Sequence, residues 1–241
     1  MQPIINCDMG EGAGNDEQLM PFIHAANIAC GYHAGDKDTM KRTVELALQY
    51  NVAIGAHPSF HDRKNFGRTP MQLPLTEVYD IVTGQLFILK EIAIAAGGTL
   101  RHVKPHGALY NLSAKEPAIA DIIAKAVKDA DAALLLYGLS GSCSITAAKA
   151  AGLQPVSEVF ADRTYQDDGS LTPRTMPGAL IETREMAVSQ VLQMIQEGTV
   201  TTVSGKTIPI LAETICIHGD GEHAVVFARS IYTALQNERR Q

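Results

Sequence analysis

Residues 76–106 read TEVYDIVTGQLFILKEIAIAAGGTLRHVKPH, and this stretch contains the unit from which the fold is built. Val78, Ile81, Val82, Gln85, Ile88, Leu89 and Ile92 recur at the spacing that lines one face of a helix, with Thr76 as the expected N-cap and Gly97-Gly98 as the stop. A short strand-like run from Arg101 to His106 follows, in which residues two apart share a face.

The same alternation runs from end to end. Strands are expected at Ile4 to Asp8, Ala25 to Cys30, Val52 to His57, Arg101 to His106, Ala133 to Tyr137, Pro155 to Phe160 and Glu213 to His218. A second helix is expected from a capping box at Ser113-Ala-Lys-Glu116, with Ile119, Ile122, Ile123, Ala126 and Val127 on one face. A third runs from about Glu185 to Glu197 and stops at Gly198. Apolar strands separated by helices imply an α/β fold with a parallel sheet buried on both faces, either a (β/α) barrel or an open doubly wound sheet. Thr199 to Val203 and Thr207 to Leu211 alternate around Ser204-Gly205, a β-hairpin inserted before the last strand. No Ser/Gly/Pro-rich linker divides the series, so residues 1–241 are expected to form one domain.

Composition narrows the function classes. The chain has 241 residues, 46% hydrophobic and 19% charged, an ordinary globular balance. Its net charge of -6 and lack of a basic block, apart from Arg239-Arg240, argue against nucleic acid and anionic membranes as partners. No apolar run reaches the length of a membrane span, and the N-terminus lacks the pattern of a signal peptide. Four scattered cysteines (7, 30, 143 and 216), with no C-x-x-C pair, are expected to be thiols in a reducing cytoplasm.

Ionisable residues gather where the strands end: Asn6 and Asp8; His33 and Asp36; His57; His102, Lys104 and His106; Glu158 and Asp162; His218 and Asp220. In parallel α/β folds this edge is where ligands bind, so these ends should converge on one polar pocket. Burying so many charges for structure alone would be costly, which makes an active site the better reading. Two nucleotide-site lookalikes fail on position. Gly10-Glu-Gly12-Ala-Gly14-Asn15 has Asn where a dinucleotide fingerprint needs its third Gly, although such a turn can still present amides to an anion. Gly205-Lys206-Thr207 has the tail of a P-loop but Val at position 200, where the leading Gly belongs. Asp8, His33 and His57 would suit a divalent ion, whereas Pro58 removes His57 and His61 from helical spacing. No G-x-S-x-G elbow is present.

Longer motifs are more specific. Asn6-Cys-Asp-Met-Gly-Glu11, Ala26-Asn-Ile-Ala-Cys-Gly-Tyr-His-Ala-Gly-Asp36, Gly55-Ala-His-Pro-Ser59 and His102-Val-Lys-Pro-His-Gly-Ala-Leu-Tyr-Asn111 resemble the LamB/YcsF family, the A subunits of bacterial 5-oxoprolinase. So do Glu158-Val-Phe-Ala-Asp-Arg163, Asp168-Gly-Ser-Leu-Thr-Pro-Arg174 and Cys216-Ile-His-Gly-Asp220. The chain departs from the family pattern at His61 to Asn65, which leaves His61 outside the expected site.

The resemblance implies a seven-stranded, TIM-like (β/α) barrel related to the polysaccharide deacetylases. It also implies ATP-dependent opening of 5-oxoproline to glutamate together with two partner subunits, of B and C type. ATP with Mg is expected on those partners, and no tightly bound metal is expected on this chain. Asp8, His57, Lys104 and His106 are the expected catalytic set, with Asp8 and a histidine as base and acid and Lys104 stabilising an oxyanion. Asn6, Glu11, His33, His102, Asn111, Glu158, Asp162, Arg163, Arg174, His218 and Asp220 are expected to bind substrate, Arg163 or Arg174 through its carboxylate. The competing readings are a metal-dependent carbohydrate deacetylase and a non-catalytic binding subunit.

Overall fold

The computed structural model describes residues 3–219 and 224–238, so Asp220 lies outside the described residues. Seven parallel strands close into a barrel: β1 (Ile4–Met9), β2 (Ala25–Ala29), β3 (Ala53–His57), β4 (Leu100–Val103), β5 (Leu135–Leu139), β6 (Gln154–Phe160) and β9 (Thr214–His218). Each pairs with the next in that order, and β9 closes the ring on β1, matching Ile4 with Thr214 and Asp8 with His218. The open-sheet alternative is thereby excluded. Between β6 and β9, strands β7 (Thr199–Thr201) and β8 (Thr207–Pro209) form the expected antiparallel hairpin.

Helices α1 (Asp16–Leu19), α2 (Lys37–Gln49), α3 (Leu75–Ala95), α4 (Gly107–Lys115), α5 (Pro117–Ala130), α6 (Cys143–Ala151), α7 (Arg184–Gln196) and α8 (Ala224–Glu238) are interleaved with the strands. Val78, Val82, Leu86 and Leu89 of α3 and Ile123, Ala124 and Val127 of α5 are buried in one apolar core with strand residues such as Ile54, Val103 and Leu136. Each large apolar side chain of this kind, fully buried, contributes roughly 1.5–3 kcal/mol of transfer free energy. Among the described residues, no helix is long and apolar enough to cross a membrane.

Proline overrides three local expectations. α3 begins at Leu75 after Pro74, whose fixed φ of -53° starts the turn, so Thr76 lies inside the helix instead of capping it. Ser113 is interior to α4, where its hydroxyl donates to the Tyr110 carbonyl; the next helix starts with Pro117 as its first residue and Glu116 as cap. β4 ends at Val103, because Pro105 has no amide to continue the ladder. The Lys104 and His106 amides still bond to the Ala56 and Pro58 carbonyls, which holds both residues against the end of β3.

Candidate active site

At the C-terminal ends of the strands lies a cavity of about 530 Å³, and Asp8, His57, Lys104, His106, Asn111, Arg163, Arg174 and His218 all line it. The four expected catalytic residues come from three strand ends and are each at most 5% exposed. Lys104 Nζ donates to Asp8 Oδ1 at 2.8 Å and lies 2.9 Å from Cys216 Sγ. It also lies 3.0 Å from Glu158 Oε1, an ion pair without an aligned hydrogen bond. Burial opposes the charge on Lys104, but Asp8, Cys216 and Glu158 outweigh it and raise its pKa well above that of a free lysine. Burial likewise opposes the charge on Asp8, while His57 and Lys104 hold its carboxyl well below the usual range. The raised pKa favours the charged form of this lysine.

Asn27, an interior-facing residue of β2, organises the layer beneath. Its amide nitrogen donates to Asp8 Oδ1 at 2.8 Å and Asn6 Oδ1 at 2.7 Å, and its carbonyl oxygen faces His102 Nε2 at 2.8 Å. His102 stacks on Tyr137 and fits only because residue 55 is glycine: a Cβ there would lie 2.0 Å from His102 Nε2. Burial and the nearby Lys104 charge push the His102 pKa down to about 3, so the ring is neutral.

The histidine tautomers follow from their partners, since a carbonyl can only accept. His57 Nδ1 donates to the Lys104 carbonyl at 2.7 Å, and His106 Nε2 donates to the Phe66 carbonyl at 2.9 Å. Ser59 commits its hydroxyl proton to the Phe60 carbonyl, so His33 Nδ1 donates to Ser59 Oγ at 2.9 Å. Phe66 has a positive φ of 56°, a costly conformation for a non-glycine residue, and its carbonyl is the one that orients His106. His33 lies flat on His106, with ring centroids 3.8 Å apart. The remaining ring nitrogens face inward: His57 Nε2 is 3.3 Å from Asp8 Oδ2 and 2.9 Å from His106 Nδ1, and His33 Nε2 is 3.0 Å from Glu11 Oε1. Burial pushes His33 down to about 2 and His106 well below an ordinary histidine, so both rings are neutral.

The remaining expected residues divide by position. Asn6, Glu11, His33, His102, Glu158 and Asp162 do not line the cavity but stand behind residues that do. Asp162 holds His218, whose Nδ1 lies 2.9 Å from its Oδ2; His218 in turn stacks on Phe160. Arg163 donates to the Thr172 and Ala179 carbonyls and so fastens the 164–180 loop, while Arg174 is exposed at the cavity edge. Asp36 is separate from the site: it caps α2 by accepting from the Thr39 amide. His61 packs its ring against Tyr32. Asn27 and Cys216 are site residues that sequence reasoning missed. Both face the barrel interior, in register with Asp8 and Asn6, a parity that could have identified them.

In both nucleotide lookalikes a group that could face a phosphate is already engaged. The Gly10 amide is engaged by Asp16 Oδ2 at 2.9 Å, and Lys206 sits at the hairpin turn paired with Asp167.

Comparison with known proteins agrees with this architecture. A protein of Bacillus cereus (strain Q1) named as the A subunit of 5-oxoprolinase is 53% identical over 239 residues, covering 97% of this chain and 94% of that protein. The protein of the same name from Tolumonas auensis is 54% identical over 236 residues, covering 96% and 94%. The crystal structure of the lactam utilization protein from Thermus thermophilus superposes with a TM-score of 0.92 at 40% identity, covering 99% of this chain and 98% of that one. With its profile matched across residues 4–241, the chain belongs to the LamB/YcsF family.

Proposed function

We propose that this chain is the A-type subunit of an ATP-dependent 5-oxoprolinase, the component whose cavity opens the lactam of 5-oxoproline to give glutamate. The observation that carries this reading is the conjunction of a fixed cation and a carboxylate-imidazole set on one cavity wall, in a chain more than half identical to proteins named as the A subunit of 5-oxoprolinase. Hydrolysis of an amide requires stabilisation of the carbonyl oxygen as it becomes negative, a group to take a proton from water and one to return it to the leaving nitrogen. Lys104 supplies the positive charge. Asp8, His57 and His106 form the set that moves the proton, aligned by the Lys104 and Phe66 carbonyls. Arg174, at the cavity edge, is a cation that would hold the substrate carboxylate.

A five-membered lactam is nearly strain-free and re-forms readily from glutamate, so the reaction needs coupling to ATP. The engaged Gly10 amide and the paired Lys206 both favour nucleotide handling on partner subunits of B and C type. The test is glutamate release by purified components. The chain alone, with ATP and Mg²⁺, should give none, and adding both partners should give ATP-dependent turnover. ATP-dependent turnover by the chain alone would contradict the division of labour. ATP-independent acetate release from an N-acetylated sugar would support the deacetylase reading instead.

A further inference from the structure

We propose that Glu11, His33, His57 and His106 form a binding site for one borderline divalent transition ion, of the Zn²⁺ class. One ligand atom from each of these residues lies within 4.8 Å of the other three. The direction in which the ring nitrogens face supports this. His57 must keep its proton on Nδ1, His106 on Nε2 and His33 on Nδ1, because each of those atoms faces a group that can only accept there. The three other ring nitrogens then face one spot, together with Glu11 Oε1. His57 Nε2 and His106 Nδ1 face each other at 2.9 Å. His33 Nε2 faces a carboxylate oxygen, Glu11 Oε1, at 3.0 Å. A divalent ion placed among these three nitrogens and this carboxylate would be within reach of all four donors.

The spacing fits. Ligands roughly 2.1 Å from a common ion stand about 3.0–3.4 Å apart in octahedral or tetrahedral arrangement. Here the separations are 2.9 Å for His57–His106, 3.0 Å for His33–Glu11, 3.4 Å for His106–Glu11 and 3.8 Å for His57–Glu11. The supporting shell is of the kind that metal-bound histidines use, with each outer ring nitrogen donating to a backbone carbonyl or a fixed hydroxyl. Three imidazoles and one carboxylate select zinc, iron or nickel over magnesium or calcium. The adjacent trio Asp8, Cys216 and His218 offers a poorer site, because the Lys104 ammonium already lies 2.8 Å from Asp8 and 2.9 Å from Cys216. A bound ion would supply Lewis acidity beside the cavity. His57 and His106 would give it their lone pairs, leaving Asp8 as the member of its set that handles the proton. This reverses the expectation from sequence that the chain holds no metal, and it does not depend on the lactam reading.

The test uses the untagged full-length chain, stripped with a chelator and then titrated with Zn²⁺ and, separately, Co²⁺. Elemental analysis after dialysis gives the stoichiometry, competition with a chromogenic chelator the affinity, and visible d–d absorption the coordination of Co²⁺. The wild-type chain should retain one equivalent, and Mg²⁺ should not displace it. Glu11→Gln and His106→Gln should abolish retention, and Ser59→Ala, which removes the hydroxyl that orients His33, should weaken binding about 10–100-fold. His61→Gln should bind as wild type does. Because the wild-type stoichiometry needs no variant, a misfolded mutant cannot mask the answer. The proposal is overturned if wild type retains no ion after dialysis, if Glu11→Gln and His106→Gln bind as tightly as wild type, or if Mg²⁺ displaces the ion.

Discussion

Lys104 and Asp8 form an ion pair, Nζ to Oδ1 at 2.8 Å, with each side chain only 3% exposed. Glu158, fully buried, completes the group from the other side of the ammonium at 3.0 Å, so one cation serves two carboxylates. Removing the cation takes the ion-pair partner from Glu158 and leaves Asp8 with Asn27 and His57. Lys104→Met should therefore destabilise the chain by about 3–5 kcal/mol at neutral pH, the usual cost of breaking a buried pair. Adding Glu158→Gln to Lys104→Met should recover part of that loss. Urea unfolding of the two single variants and the double variant checks the coupling.

Asn27 bonds to Asn6, Asp8 and His102 at once. Asn27→Ala leaves His102 Nε2 without its partner, at roughly 1–3 kcal/mol, while Asp8 and Asn6 each lose one bond and keep Lys104. Since Asn27 lies beneath the cavity wall, turnover should fall through kcat while KM stays near its wild-type value. Steady-state kinetics of the assembled enzyme separate the two, and a pure KM effect would show that Asn27 acts on substrate directly.

Gly55→Ala should be far more disruptive than its size suggests, because the new methyl would occupy the position of the His102 ring. Overpacking of this kind costs about 1–3 kcal/mol or more. Thermal unfolding should show a large loss for Gly55→Ala and a smaller one for Gly55→Ala combined with His102→Ala. Equal losses would mean that the His102 ring is not the obstacle.

Asp162 provides a pH signature. Although burial raises its pKa, the contacts with His218 outweigh this and leave it below that of a free carboxyl. A carboxyl depressed in the folded state adds stability above its unfolded pKa, and that stability disappears as pH falls through the folded value. Asp162→Asn should therefore melt at a lower temperature than wild type near pH 7, with the gap narrowing below about pH 4, where the unfolded carboxyl titrates. Calorimetry across that range checks the direction, and a gap that widens in acid would contradict it.

What could be read from the chain was whatever local pattern controls. The seven strands follow from apolar runs bounded by turns, and Asp8, His57, Lys104 and His106 stand out because charged residues at strand ends need a reason. Helix starts were misread where Pro74 and Pro117 outrank Thr76 and Ser113, since proline fixes the backbone and a hydroxyl only adds a bond. Asn27 and Cys216 were hidden because a single polar residue or thiol in an apolar run looks like core until the barrel closes and its interior face is known. Nor could spacing reveal that Glu11, His33, His57 and His106 converge, because their separations are set by the ring of strands and by the Phe66 turn.

The central claim is that chemistry takes place on the Asp8 wall of this chain, and the most direct measurement is glutamate release by the enzyme reassembled with Asp8→Asn in place of the wild-type chain. The substitution nearly preserves shape and removes the charge. With assembly verified by size-exclusion chromatography, turnover should fall by about 100-fold or more, as expected for loss of a positioned acid-base group. Near-normal, ATP-dependent turnover by that assembly would contradict the account and place the reaction on one of the partners.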